Sequence, residues 1–218
     1  MAEEETGKRK FDLRTALTGR DSGQSVLSFP SGHLIYSQGD PADAAFFVES
    51  GHVKIASLTP SGKEAVVAIR RSGEFFGTRC LVGKRMGFAS ALTACSLIRL
   101  SLPALVRLLR GNPDFAVAFA THLVDQSVRD QANIVDNLTN SAEKRLARLL
   151  LRLADGADDD GIAISAPLNQ SFLANMVGTT RSRISFFMNE FRRRGLIEYD
   201  RQGRVRVHNS LRKALLNE

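Results

Sequence analysis

The chain has 218 residues, 43% of them hydrophobic, and a formal net charge of +7: enough apolar material for two ordinary domains and too much for a disordered polymer. Its two cysteines, Cys80 and Cys95, belong to no CxxC or Cys/His cluster, so neither a structural zinc nor an iron–sulfur cluster is expected, and a reducing cytoplasm fits. No apolar run approaches the roughly 20 residues that span a bilayer and no charged-then-apolar leader opens the chain, so no membrane partner is expected.

Residues 1–25, polar and weakly patterned, read as a mobile arm. From Val26 to about Ser101 the segments HLIYS, AFFVE, VKIASL, EAVVAIR, FASALTA and SLIRLS have strand length and composition. Between them lies turn chemistry such as FPSGH, SQGDPADA and TPSGKEA. Such punctuation implies an antiparallel β-roll over residues 26–112, and the absence of GxGxxG excludes a dinucleotide-binding βαβ unit. After a short helical piece, PALVRLLRG, a long helix is expected from Pro113 to about Asn137. One stripe of it, Val117, Thr121, Val124, Val128, Gln131, Val135 and Leu138, has the alternating spacing of a coiled-coil seam, which suits a dimer interface; packing within one chain is the alternative. Phe115, Phe119 and Leu123 make a second stripe suited to the roll. Residues 113–140 therefore read as dimerisation helix and hinge, with Asn140 and Glu143 expected as a capping box for the next helix. ADGADDDG follows as an acidic surface loop.

The last third, residues 141–218, carries the most specific pattern. QSFLANMVG ends at a glycine, TT follows, and RSRISFFMNEFRRRG runs to Gly195. Ala174 supplies a small residue where two helices nearly touch, Gly178 tolerates positive φ in the tight turn, and Ile184 plugs the space beneath the second helix. This is a helix-turn-helix. Ile184, Phe187, Met188 and Phe191 form a core-facing stripe, whereas Arg181, Ser182, Ser185, Phe186 and Asn189 share the other face. Thr179 or Thr180 is the expected N-cap, which would offer backbone amides to a phosphate with Arg181 beside them; Arg181 is equally suited to a bidentate contact on guanine. LIEYDRQGRVRVHN then reads as a hairpin, the wing, bearing Arg201, Arg204 and Arg206. Gln170, Ser171 and Arg183 complete the expected DNA contacts, while Arg192, Arg193 and Arg194 are either phosphate contacts or a solvated helix end. Residues 166–218 hold ten Arg or Lys against four Asp or Glu, a net of +6, so the basic charge gathers where duplex DNA would lie.

This order of parts resembles the CRP/FNR family of bacterial transcription regulators. The segments that carry the likeness are GHLIYSQGDPADAAFFVESGHVKI, SGEFFG, NPDF and LANMVGTTRSRISFFMNEFRRRGLI. The resemblance implies an α+β chain: a jelly-roll-like β-roll (double-stranded β-helix), a long dimerisation helix and a C-terminal winged helix-turn-helix. It further implies a cytoplasmic homodimer on a two-fold operator, RNA polymerase as a further partner, and an effector in the roll. Cyclic-nucleotide-binding members bind the ribose with Gly-Glu and the cyclic phosphate with Arg-Ser-Ala. Here Gly77 matches the glycine and Thr78 replaces the glutamate. Arg85 matches the arginine, and Met86 and Gly87 replace serine and alanine, so the cassette is degenerate. An alternative pairing places Gly73 and Glu74 on the Gly-Glu motif. Asp130 and Gln131 correspond to the positions that approach the base. Cyclic nucleotide, another ligand and no ligand all stay open as effector readings. Cys80 lies near the spot where a haem-binding branch holds its ligand, although a buried core cysteine is the more frequent explanation. A ligand-sensing module acting through protein contacts is the competing function. No enzyme is expected, since His33, His52, His122 and His208 are scattered and no nucleophile stands with a base.

Overall fold

A computed structural model of the chain describes residues 13–17, 23–60, 62, 64–81, 83–154, 162–163, 168–201 and 204–216. The segment expected to be an arm lies largely outside them, but Leu13–Leu17 is a helix, α1, whose Leu17 is buried against the roll core with Phe115 and Phe119. Leu13, Ala16 and Leu17 share one helical face, and their burial outweighs the polar character of the neighbours.

Among the described residues, eight strands build the roll: β1 (Gln24–Phe29), β2 (Leu34–Tyr36), β3 (Ala44–Ser50), β4 (His52–Leu58), β5 (Glu64–Arg71), β6 (Phe75–Phe76), β7 (Phe88–Ala91) and β8 (Cys95–Ser101). They form two antiparallel four-stranded sheets, ordered β1-β8-β3-β6 and β2-β7-β4-β5. One core lies between the sheets, around Phe46, Val48, Val53, Phe76 and Leu97. A second, around Phe47, Phe75, Ile98 and Leu100, packs against helices. Gly51, at φ +83°, turns β3 into β4 where an added Cβ would lie 2.4 Å from the Ala94 carbonyl, so only glycine closes this turn without moving the backbone.

Helix α2 (Leu102–Gly111) starts at Ser101, whose hydroxyl accepts from the Ala104 amide. Helix α3 (Pro113–Thr139) starts at Asn112, which caps Phe115, with Pro113 in the first turn where its missing N–H costs nothing. Phe115 and Phe119 are buried on the roll. The seam positions Val117, Thr121, Val124, Val128, Gln131, Val135 and Leu138 are all exposed on the opposite side. Helix α4 (Ala142–Leu153) is capped by Ser141, whose hydroxyl accepts from the Lys144 amide, not by Asn140. Asn140 instead closes α3: its backbone and side-chain N–H groups donate to the carbonyl and carboxylate of Asp136, so the chain breaks there with both helix ends satisfied.

The C-terminal domain comprises α4, the short strand β9 (Ile162–Ala163), α5 (Gln170–Val177), α6 (Arg181–Arg193), β10 (Ile197–Tyr199), β11 (Val205–Val207) and α7 (Ser210–Leu216). Among the described residues the wing sheet has three strands, ordered β10-β11-β9. Most of the acidic ADGADDDG segment and Gln202-Gly203 of the wing turn lie outside the described residues. The domain core, centred on Leu146, Leu150, Leu173, Ile184, Phe191 and Leu211, also takes in Ile69 of β5, so the domain docks on the roll. Among the described residues no helix is long and apolar enough to cross a membrane.

Candidate DNA-reading face and effector cavity

Helix α6 stands on its partner helix as the sequence spacing predicts. Asn169 caps α5, accepting from the Phe172 amide at 2.6 Å, and the turn passes through Gly178 at φ +69°, ψ 45°, a left-handed conformation that costs a non-glycine residue strain. Thr180, rather than Thr179, caps α6 through its hydroxyl and the Arg183 amide. Ile184, Phe187, Met188 and Phe191 are buried. The other side of α6 is open: Arg181, Ser182, Arg183, Phe186 and Asn189 are exposed and Ser185 is half-buried, near the side chain of Gln170. Phe186 is 66% exposed and touches only the edge of Phe187 among the described rings, so a large aromatic face is held in solvent on the side expected to meet DNA. Thr179 is half-buried in the turn. Ser171 is exposed, yet it lines a cleft between α5 and the roll residues Lys54 and Glu64 rather than standing on the open α6 face.

The basic residues beyond α6 divide by their partners. Arg204 is tied to the wing turn, its Nε 2.6 Å from Asp200 Oδ2, while Asp200 Oδ1 accepts its backbone N–H. Arg193 forks onto Glu190, Arg206 lies 3.5 Å from Glu198, and Arg194 lies 3.8 Å from Glu143. Arg192 and Arg201 are exposed. The triplet at the helix end is thus partly a brace between α6 and α4.

In the roll, Gly77, Thr78, Arg85, Met86 and Gly87 come together around a cavity of about 380 Å³, and a neighbouring one of about 440 Å³ shares Tyr36, Ile55, Gly77 and Thr78 with it. Asp130 and Gln131 of α3 line the second. Arg85 does not offer a free fork to this space. It is 4% exposed, with Nη1 donating to the Gly77 carbonyl at 2.8 Å and Nη2 to the Ala44 carbonyl at 2.6 Å. Its guanidinium lies 4.3 Å from the Tyr36 ring, in a stack continued by Phe46 and Phe76. Among the described side-chain atoms, its Nε is buried with no hydrogen-bond partner. Glycine suits position 77 because its φ of +68° strains any side chain, and an added Cβ would also lie 2.7 Å from Arg85 Nη1. Gly87 has no room for a methyl either, with the Ala56 carbonyl 2.4 Å from where it would sit. Met86 is exposed, and its backbone carbonyl, not its side chain, is held by the Ser57 hydroxyl.

Glu74, the carboxylate of the alternative pairing, is buried in a different cavity beside Arg71 and Arg129, so it does not reach the cassette. Asp130 is held by Arg70 in a two-pronged contact of 3.1 and 2.7 Å. Cys80 is buried in the roll core and burial pushes its thiol pKa up, an inert environment.

Two contacts were not anticipated by motif. The Phe75 N–H donates to His122 Nε2 at 3.2 Å, and the Phe75 carbonyl accepts from Gln126 Nε2 at 3.0 Å. His122 and Gln126, one helical turn apart, thus continue the hydrogen bonding of β6 from α3, two residues from Gly77. Burial lowers the His122 pKa, and a neutral imidazole is what accepting the Phe75 N–H requires. Their place beside the Phe119 and Leu123 stripe was the available signal.

Comparison with known proteins matches two families in the same order along the chain: the cyclic nucleotide-binding domain over residues 26–112 and the Crp-like helix-turn-helix domain over residues 144–213. The chain belongs to the CRP/FNR family. A CRP-like cAMP-activated global transcriptional regulator from Mycobacterium tuberculosis is 26% identical over 179 residues, 80% of each protein. The global nitrogen regulator of Synechocystis is 26% identical over 191 residues, 84% of each. A solved CRP-family transcriptional regulator from Thermus thermophilus superposes with a TM-score of 0.69 at 27% identity, covering 86% of this chain and 95% of that one. The chain is a CRP/FNR-type transcriptional regulator with a cyclic nucleotide-binding-type roll and a DNA-binding helix-turn-helix.

Proposed function

We propose that this regulator works in the cytoplasm as a homodimer that inserts the N-terminal half of α6 from each protomer into the major groove of a two-fold operator. The observation that carries this reading is the division of α6, whose apolar stripe is buried while Arg181, Ser182, Phe186 and Asn189 stand open. Arg181 and Asn189 are suited to base edges, Phe186 to a thymine methyl, and Gln170, Thr179, Thr180, Ser182, Arg183, Ser185 and Arg201 to phosphates or bases at the rim. Dimerisation is supported by α3, where Val117, Val124, Val128, Val135 and Leu138 are each more than half exposed along one seam. So long an apolar stripe left in water favours a second copy.

For the effector, the cassette supports a pocket remodelled away from the cyclic-nucleotide mode. A cyclic phosphate would meet a buried arginine whose two Nη atoms are already held by the Gly77 and Ala44 carbonyls, and no carboxylate at Thr78 for the ribose. Gel-shift titration against fragments of genomic DNA tests the main reading. Tight binding that weakens steeply with salt and is relaxed in base preference by Arg181→Ala supports it; salt-insensitive or absent binding favours a module working through protein contacts. Calorimetry with cyclic AMP and cyclic GMP is expected to show no binding that Arg85→Ala abolishes.

A further inference from the structure

Where the roll, α3 and α4 meet there is a half-open cavity of about 230 Å³, lined by four guanidinium groups, Arg70, Arg71, Arg129 and Arg152, and two carboxylates, Glu74 and Asp130. The arginines come from three elements: the end of β5, the middle of α3 and the last turn of α4. Arg70 and Asp130 neutralise each other in their two-pronged contact. Glu74 faces Arg71 Nε at 3.9 Å and Arg129 Nη2 at 3.6 Å, ion-pair distances rather than hydrogen bonds, and its other oxygen accepts the Arg71 backbone N–H. Arg152 Nη1 donates to the neutral carboxamide of Asn133 at 2.7 Å, and among the described residues it contacts no carboxylate. Among the described residues the lining thus holds four guanidinium groups and two carboxylates beside the apolar walls of Ile69 and Leu153. His52, also on the wall, has its pKa lowered by burial and then by Arg71, in keeping with a positive local potential.

We propose that this junction is a binding site for a phosphate-bearing small molecule, distinct from the cassette. Guanidinium groups converging from three sides present paired donors to the oxygens of a phosphate, and Arg152 meets it without a carboxylate partner among the described residues. An adjoining crevice of about 510 Å³ shares Ile69, Ala132, Asn133 and Arg152 with the cavity and continues over Val66, Ala68, Leu149 and Met176, leaving room for an apolar or aromatic body attached to the phosphate. The Arg70–Asp130 pair is the partition from the cassette side, since both residues also line the cavity that reaches Gly77 and Thr78. A ligand here would bridge Arg71 and Arg129 to Arg152, that is, the sensor half to the first helix of the DNA-binding half. Its regulatory consequence rests on the DNA-binding reading; its binding does not.

The test is calorimetry on the full chain with inorganic phosphate, AMP and succinate, without DNA. Saturable binding of phosphate and AMP is expected, weakened at least tenfold by combined Arg129→Gln and Arg152→Gln and unchanged by Arg110→Gln on the surface of α2. Arg152→Gln alone, on an exposed helix position, serves if the double variant does not fold. Absence of saturable heat, a double or single variant that binds like the parent, or succinate binding as tightly as phosphate would each overturn the assignment. Adding AMP to a gel shift then reads coupling separately.

Discussion

Helix α6 and the roll loop around Arg85 both carry residues that the sequence matches to motifs of the family, and the fold treats them oppositely. On α6 the motif side chains stand in solvent, with Arg181 and Phe186 exposed beside a fully satisfied cap. In the roll the motif arginine is turned inward, holding two backbone carbonyls against an aromatic stack. A motif residue is thus available for a partner only where the protein's own backbone does not already bind it. The same residue type, arginine, is structural at position 85 and a candidate reader at position 181.

The strongest way to break this contrast is Arg85→Ala. Removing the guanidinium takes a charged donor from each of the Gly77 and Ala44 carbonyls, leaving Gly77 only the Cys80 N–H, and empties the space against the Tyr36 ring, a loss of about 3–5 kcal/mol in urea unfolding. Arg181→Ala should leave stability within about 0.5 kcal/mol, as an exposed substitution does. Equal effects from the two would remove the distinction. Next in size is the helix between them. Val124→Glu with Val128→Glu places charge in the proposed seam and should weaken self-association by about 100-fold or more in sedimentation equilibrium, with the helical signal retained. An unchanged association constant would put the dimer contact elsewhere.

On DNA, Arg181→Ala should cost about 1–3 kcal/mol of operator affinity and flatten the preference at one base pair, while Arg201→Ala should lower the salt slope without changing preference. The smallest effect concerns His122. Its pKa lies below 6.5 because burial disfavours the imidazolium, followed by opposing contributions from Glu74 and Asp125 and from Arg129 and Arg70. The unfolded chain therefore binds the proton more readily, so this contribution to stability is complete above pH 6.5 and is lost as the pH falls through the lower folded value. His122→Gln keeps an acceptor for the Phe75 N–H and should flatten the acid limb of the stability profile; an unaltered limb would assign it to other groups, such as His52.

Much of this was legible in the sequence, because the informative signals were periodic or punctuated. Glycine-marked turns delimited the strands of the roll, and the spacing of Ala174, Gly178 and Ile184 fixed the helix-turn-helix. What escaped was short or depended on distant partners. Strand β9 is two residues long and carries no alternation of its own; it exists because Arg206 and Val207 offer it an edge. The cap at Ser141 displaced the expected Asn140 because Asn140 had a nearer partner in Asp136. The inward turn of Arg85 depends on carbonyls 8 and 41 residues away, which no local pattern records.

The central claim is that two copies of the open α6 face read duplex DNA together. Footprinting of the full chain on a fragment selected from genomic DNA tests it most directly. Two protected half-sites related by two-fold symmetry, centred about 10–10.5 bp or a multiple of that apart, are predicted, both lost together in Arg181→Ala. A single asymmetric footprint, or protection that survives that substitution unchanged, would contradict it.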